Sequence, residues 1–156
     1  MATAGAVAVG VGPAAEAMAA MTAAGARPFD LIYLDADKKG YAAYYEAAIG
    51  GGLLRVGGLL AVDNVLFKGR VVPHWDASAP VPPGEEGAAA AAAAEPPPAG
   101  EGTVARLRRQ RARSLVAANK TAAAIHAFNG LVAADARTEQ VLLPLRDGLT
   151  LIRRLA

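Results

Sequence analysis

The chain contains no cysteine, which excludes a disulfide framework, a thiolate metal site and a cysteine nucleophile, and leaves the redox compartment open. Histidine is almost as scarce. His74 and His126 form neither a metal-ligand pair nor part of a triad, because no nucleophile elbow accompanies them and His126 lies beside Phe128 in a helical stretch. No apolar run approaches the roughly 18 to 20 residues that a membrane span requires. Excess charge of one sign is also missing: 16 basic against 14 acidic residues leave a net of +2, too little to imply a nucleic acid or membrane partner. Arginines do crowd into "RLRRQRAR", residues 106–113. That stretch has no interleaved aromatic to stack on bases, so it reads as a solvated basic helix face. Residues 1–26 lack a basic leader, and Pro13 and Glu16 interrupt any apolar signal core. The expectation is a cytoplasmic protein with no nucleic acid and no membrane partner.

At 156 residues the length suits one domain with a real core. Pro13 to Ala24 reads as a short helix, with Pro at its start and Gly25 as its stop. The continuous apolar run Leu31-Ile32-Tyr33-Leu34 marks a strand over 29–34, of the kind covered on both faces in a parallel sheet. Tyr41, Tyr44, Tyr45 and Ala48 line one side of a second helix that stops at Gly50-Gly51-Gly52. Leu53 to Gly58 reads as a turn, and Leu59 to Val62 as a second buried strand. Residues 76–103 are dominated by Pro, Ala, Gly and Glu; they read as a low-complexity insertion, mobile because it offers almost no large apolar side chain to bury. A helix is expected over 104–134, with Ile125, Phe128, Leu131 and Val132 at core spacing. Two final strands flank Asp147-Gly148, a hairpin signal, and Pro144 demotes the first of them to an edge. The order of elements predicts an α/β fold with parallel strands and an antiparallel addition.

Both inner strands run into polar groups: Asp35-Ala36-Asp37-Lys38 after the first, Asp63-Asn64 after the second. Ligands of open α/β sheets sit beyond the carboxyl ends of the strands. Asp35, Asp63 and Asn64 would there offer hard oxygen donors suited to Mg²⁺. The competing reading, which position alone favours, is that these residues cap the helices that follow. Lys38 could take a proton from a substrate hydroxyl if desolvated beside a cation, or be an ordinary surface lysine. Gly10, Gly12 and Ala15 match a dinucleotide fingerprint with Asp30 as its acid, but the stretch before them is a poor strand and Asp30 precedes a strand instead of ending one.

The stretches "FDLIYLDADKKGYAAYYE", "LLRVGGLLAVDNVLFKGRVV" and "AFNGLVAADARTEQVLLPLRDGLTLIRR" together resemble the cation-dependent class I O-methyltransferases, the caffeoyl-CoA and catechol O-methyltransferase family. The resemblance covers about residues 12–75 and 119–155. It implies a partial Rossmann-like class I methyltransferase sheet with a C-terminal antiparallel hairpin, and transfer of a methyl group from S-adenosylmethionine to one hydroxyl of a vicinal dihydroxy aromatic. It implies Asp35, Asp63 and Asn64 as ligands of Mg²⁺ or another divalent cation, Lys38 as the catalytic proton acceptor, and Ala14 and Asp37 as contacts of the methyl donor. Lys68 stands where plant members often carry a substrate-contacting Asn. The implied partner is a small aromatic molecule, and family members often pair as homodimers. The family's leading helical segment, Gly-rich donor loop and ribose-binding acid have no counterpart here. Residues 1–156 are therefore expected to form the C-terminal part of a single O-methyltransferase domain, with the 76–103 insertion inside it, and to give no turnover alone. The alternative is a non-catalytic remnant that acts as an interaction module.

Overall fold

The computed structural model describes residues 7–71, 94 and 102–156. Helix α1 spans Ala14–Ala23, strand β1 Phe29–Leu34, a 3₁₀ turn Lys38–Gly40, helix α2 Tyr41–Ile49, strand β2 Leu54–Asp63, helix α3 Thr103–Ala134, and strands β3 and β4 Thr138–Leu143 and Leu149–Arg154. The four strands form one sheet in the order β1-β2-β4-β3. β1 and β2 are parallel, while β4 runs antiparallel to both β2 and β3.

Local chemistry sets the boundaries. Alanines with no β-branched residue before Thr22 favour α1, which Gly25 closes in a left-handed conformation: Ala26 donates to the Met21 carbonyl and Gly25 to that of Thr22, satisfying two end carbonyls. Asp37 starts the 3₁₀ turn by accepting from the Gly40 amide at 2.9 Å. β1 begins and ends where its apolar run predicts.

Other expectations need correction. Leu54 to Gly58 is not a turn but the start of β2, where β1 and β2 lose register between the pairs Phe29↔Leu54 and Leu31↔Leu59. Gly57, at φ +74, lets the longer strand bulge there. The β3–β4 connection runs from Pro144 to Gly148 instead of closing on two residues. Pro144 thus lies past the end of β3 and costs it no ladder bond, although β3 is an edge strand as its neighbourhood suggested. The 76–103 insertion, apart from Ala94, Gly102 and Thr103, lies outside the described residues, as does His74.

One face of the sheet carries the core. Leu34, Leu60, Val62 and Ile152 pack against Tyr41, Tyr45, Ala48 and Ile49 of α2 and against Ala122, Ile125, Phe128 and Val132 of α3. Each large side chain buried there contributes about 1.5 to 3 kcal/mol. Phe128 locks the two helices together, meeting the Tyr41 ring edge-on at 5.5 Å and the Tyr45 ring at 6.0 Å. Leu131, expected in this core, stays exposed. The Met18 side chain brings α1 to the same face. β1 is consequently not covered on both sides: Leu31 and Tyr33 are 57% and 59% exposed, because every described helix packs on the opposite face.

Candidate metal and methyl-transfer site

Parallel pairing of Leu34 with Val62 makes the next residues, Asp35 and Asp63, leave the sheet at one end and on one face. Position alone made capping the better reading of these acids, but neither caps a helix N-terminus. Asp35 is bound by Lys38 at 2.8 Å, and Asp63 is the last residue of β2. Asn64 follows with φ +62, a left-handed conformation that asparagine tolerates better than most residues, and this turns its side chain back onto Asp63. Asp63 Oδ1 accepts from the Asn64 amide N–H at 2.7 Å and from Asn64 Nδ2 at 3.1 Å. Among the described residues the amide oxygen of Asn64 accepts no hydrogen bond.

Tyrosine hydroxyls knit this end of the sheet together. Tyr33 donates to Asp63 Oδ2 at 2.6 Å, and Tyr41 donates to the Asp63 carbonyl at 2.9 Å. Lys38 donates to Asp35 Oδ1 and, at 2.5 Å, to the Tyr41 hydroxyl, with its ammonium 4.9 Å from the Tyr41 ring centre. The Asp63 hydrogen bond raises the Tyr33 pKa above the usual phenol range, with Asp35 adding to the effect. Burial raises that of Tyr41, and again both carboxylates contribute. Asp35 and Asp63 therefore act on the same two hydroxyls. Burial works to lower the Lys38 pKa, but the hydrogen bonds to Asp35 and Tyr41 outweigh it, so the lysine ends above its ordinary range. Asp35 and Tyr41 thus fix the position of the Lys38 side chain at this edge of the site.

Among the described residues no three His, Cys, Asp or Glu side chains gather in one place, so the candidate cation site is two carboxylates and one amide. That all-oxygen set fits Mg²⁺, which takes one or two carboxylates and keeps water or substrate oxygens elsewhere. Ala14, the first residue of α1, shares a cavity of about 380 Å³ with Met18, Ile32, Ala36, Leu60 and Asp35. Asp37 points its carboxylate into its own segment, accepting from the Gly40 amide and from the Tyr44 hydroxyl. The dinucleotide fingerprint finds no support: residues 7–11 form no strand, Val7, Val9 and Val11 are exposed, and Asp30 pairs with Arg55 at 2.6 Å.

The loop after β2 is fixed from two sides. Val65 and Leu66 donate to the carbonyls of Gly148 and Asp147, and Asn129 Nδ2 donates to the Val65 carbonyl at 2.9 Å. Residues 2–81 match the family model described as O-methyltransferase. The chain belongs to the O-methyltransferase family. It is 34% identical over 127 residues to a probable caffeoyl-CoA O-methyltransferase 2 of Dictyostelium discoideum, covering 81% of this chain and 37% of that protein. It is 32% identical over 140 residues to the catechol O-methyltransferase domain-containing protein 1 of Mus musculus, covering 89% and 37%. A Podospora anserina methyltransferase solved with SAH bound superposes with a TM-score of 0.58 at 26% identity, over 92% of this chain and 47% of that one. The O-methyltransferase from Bacillus cereus in complex with SAH, at 22% identity and a TM-score of 0.57, shares the fold. This O-methyltransferase chain thus spans little more than a third of the curated relatives' length and about half of the solved ones.

Sequence reasoning missed Tyr33, Tyr41 and Asn129. In the sequence Tyr41 stands as one of four residues on the apolar side of a helix, and the apolar run that holds Tyr33 says nothing of where its hydroxyl ends. Among the described residues no helix is long and apolar enough to cross a membrane.

Proposed function

We propose that the protein carrying this chain is an S-adenosylmethionine-dependent and divalent-cation-dependent O-methyltransferase that methylates one hydroxyl of a vicinal dihydroxy aromatic of the caffeoyl-CoA or catechol type. The observation that supports it most is that Asp35 and Asp63-Asn64 follow directly on the paired residues Leu34 and Val62 at the carboxyl ends of two adjacent parallel strands, with Lys38 bound to Asp35. A divalent cation, when bound, lowers the pKa of a hydroxyl it touches and stabilises the resulting oxyanion. Asp35, Asp63 and Asn64 are the residues that would hold it. Lys38 is assigned as acceptor of the departing proton on its position beside Asp35 and Tyr41; it can accept only once it has given up its own proton, which a cation held next to Asp35 would favour by lowering the lysine pKa. Ala14, on the cavity next to Asp35, and Asp37 are assigned to the donor side. Holding donor and acceptor in line is where such a site gains its rate, since positioning can supply about 7 to 11 kcal/mol of barrier lowering.

The open sheet face around Leu31 and Tyr33 favours a second reading, a non-catalytic interaction module. The test is transfer of a labelled methyl group to caffeoyl-CoA and to a simple catechol by the natural full-length polypeptide. Transfer with Mg²⁺ that disappears with EDTA and in Asp63→Ala is expected. Transfer that survives both would refute the cation's role, and a protein that methylates neither acceptor would favour the second reading.

A further inference from the structure

Tyr33 stands out as a side chain that the core does not explain. It sits opposite Ala61 in the β1–β2 register, its ring lies on the open face of the sheet, and it is more than half exposed. Among the described residues its hydroxyl makes one hydrogen bond, and that is diagonal, to the residue two positions beyond Ala61, a reach that aromatic side chains have across a strand pair. That contact is the 2.6 Å hydrogen bond to Asp63 Oδ2.

An ionised carboxylate offers about four acceptor positions. Three of those on Asp63 are taken: two on Oδ1 by the Asn64 backbone and side-chain amides, one on Oδ2 by the Tyr33 hydroxyl. The fourth is on Oδ2, the oxygen that the phenol already holds. We infer that Tyr33 is a positioning residue for the cation site, its hydroxyl fixing the rotation of the Asp63 carboxylate so that the remaining acceptor position on Oδ2 faces a divalent ion. This rests on the cation-dependent reading above and names a residue outside the ligand set. A ligating carboxylate is ordinarily held by such a partner, and loss of the partner typically lowers metal affinity about 10- to 100-fold. A bare sheet tyrosine that merely found the nearest acid would have no such effect.

The 156-residue chain is titrated with Tb³⁺, an oxygen-seeking ion whose emission is sensitised by a tyrosine close to it, and then with Mg²⁺ to displace it. Wild type, Tyr33→Phe and Asp63→Ala are compared, with thermal unfolding run on each. Tyr33→Phe keeps the ring and removes only the hydroxyl, and an exposed ring should leave the unfolding temperature unchanged. The inference predicts that Tyr33→Phe lowers Mg²⁺ affinity fivefold or more and lowers the emission per bound Tb³⁺. A smaller loss of affinity would overturn it. Wild type that binds neither ion, or Asp63→Ala that binds as wild type does, would overturn the cation reading itself, an outcome separate from failure of Tyr33 alone.

Discussion

Replacing Gly148 by alanine puts a single methyl group where the β3–β4 turn supports the loop that follows Asp63 and Asn64. Gly148 has φ +84, and a Cβ there would lie 2.6 Å from Leu66 Cγ, 2.9 Å from the Leu66 nitrogen and 3.0 Å from Val65 Cγ2. Two costs combine. The left-handed backbone costs a non-glycine residue about 1 to 2 kcal/mol, and forcing extra volume into a packed contact adds about 1 to 3 kcal/mol. The expected destabilisation is about 2 to 5 kcal/mol. Gly52 separates the two costs, since its φ is +74 but a Cβ there would meet nothing within 4 Å. Gly52→Ala should lose only about 1 to 2 kcal/mol. Urea unfolding of the three proteins reads the difference as a shift of midpoint at constant slope. Because Val65 and Leu66 hang from the carbonyls of Gly148 and Asp147, Gly148→Ala should also weaken Mg²⁺ binding, about 10-fold by comparison with other supporting contacts, while Gly52→Ala leaves it unchanged. A Gly148→Ala chain no less stable than Gly52→Ala would refute the reasoning, for then the Leu66 contact carries no weight.

Phe128→Ala removes the side chain, 2% exposed, that meets both Tyr41 and Tyr45, and should cost about 3 to 5 kcal/mol in the same assay. The Arg137 guanidinium beside Asp135 holds that carboxylate well below its usual range, and likewise lowers Glu46. Groups with folded pKa values depressed in this way give stability that is present above about pH 4, the unfolded value, and is lost as pH falls through the folded values; Arg137→Met should therefore lower the midpoint at pH 7 and flatten its decline in acid, as unfolding at stepped pH will show. Tyr45, pushed up to about 12 mainly by burial, places its hydroxyl 2.8 Å from Asp135 Oδ2 and 3.1 Å from Thr138 Oγ1. Tyr45→Phe should cost about 1 to 3 kcal/mol at neutral pH by leaving Asp135 Oδ2 short of a donor and the Thr138 hydroxyl short of an acceptor.

The parts of the fold that follow from short-range pattern were legible. The apolar run bounded β1 correctly, and the alternation of strands and helices gave the parallel β1–β2 pair with a hairpin beside it. What failed depended on which elements meet. Leu31 and Tyr33 look as buried as Ile32 and Leu34 in the sequence, but only the even-numbered pair faces helices. Gly57-Gly58 looks like a turn because nothing local distinguishes a turn from a bulge within a long strand. In the site, the nearness of Asp35 and Asp63 was readable because strand ends in a parallel pair must coincide. The hydroxyls of Tyr33 and Tyr41 were not, since the spacing of a tyrosine locates its ring while its hydrogen-bond partner is chosen by the tertiary fold. The hydrogen bond from Lys38 to Tyr41 was hidden for the same reason: the sequence shows a lysine near an acid, but not that Tyr41 joins Asp35 around its ammonium.

The central claim is that Asp35, Asp63 and Asn64 hold a divalent cation, and calorimetric titration of the wild-type chain with Mg²⁺ tests it most directly. One binding event per chain is predicted, abolished in Asp35→Ala and Asp63→Ala and weakened in Asn64→Ala, since Mg²⁺ tolerates little loss of its oxygen ligands. Equal affinity in wild type and all three variants, or no binding by any of them, would contradict it.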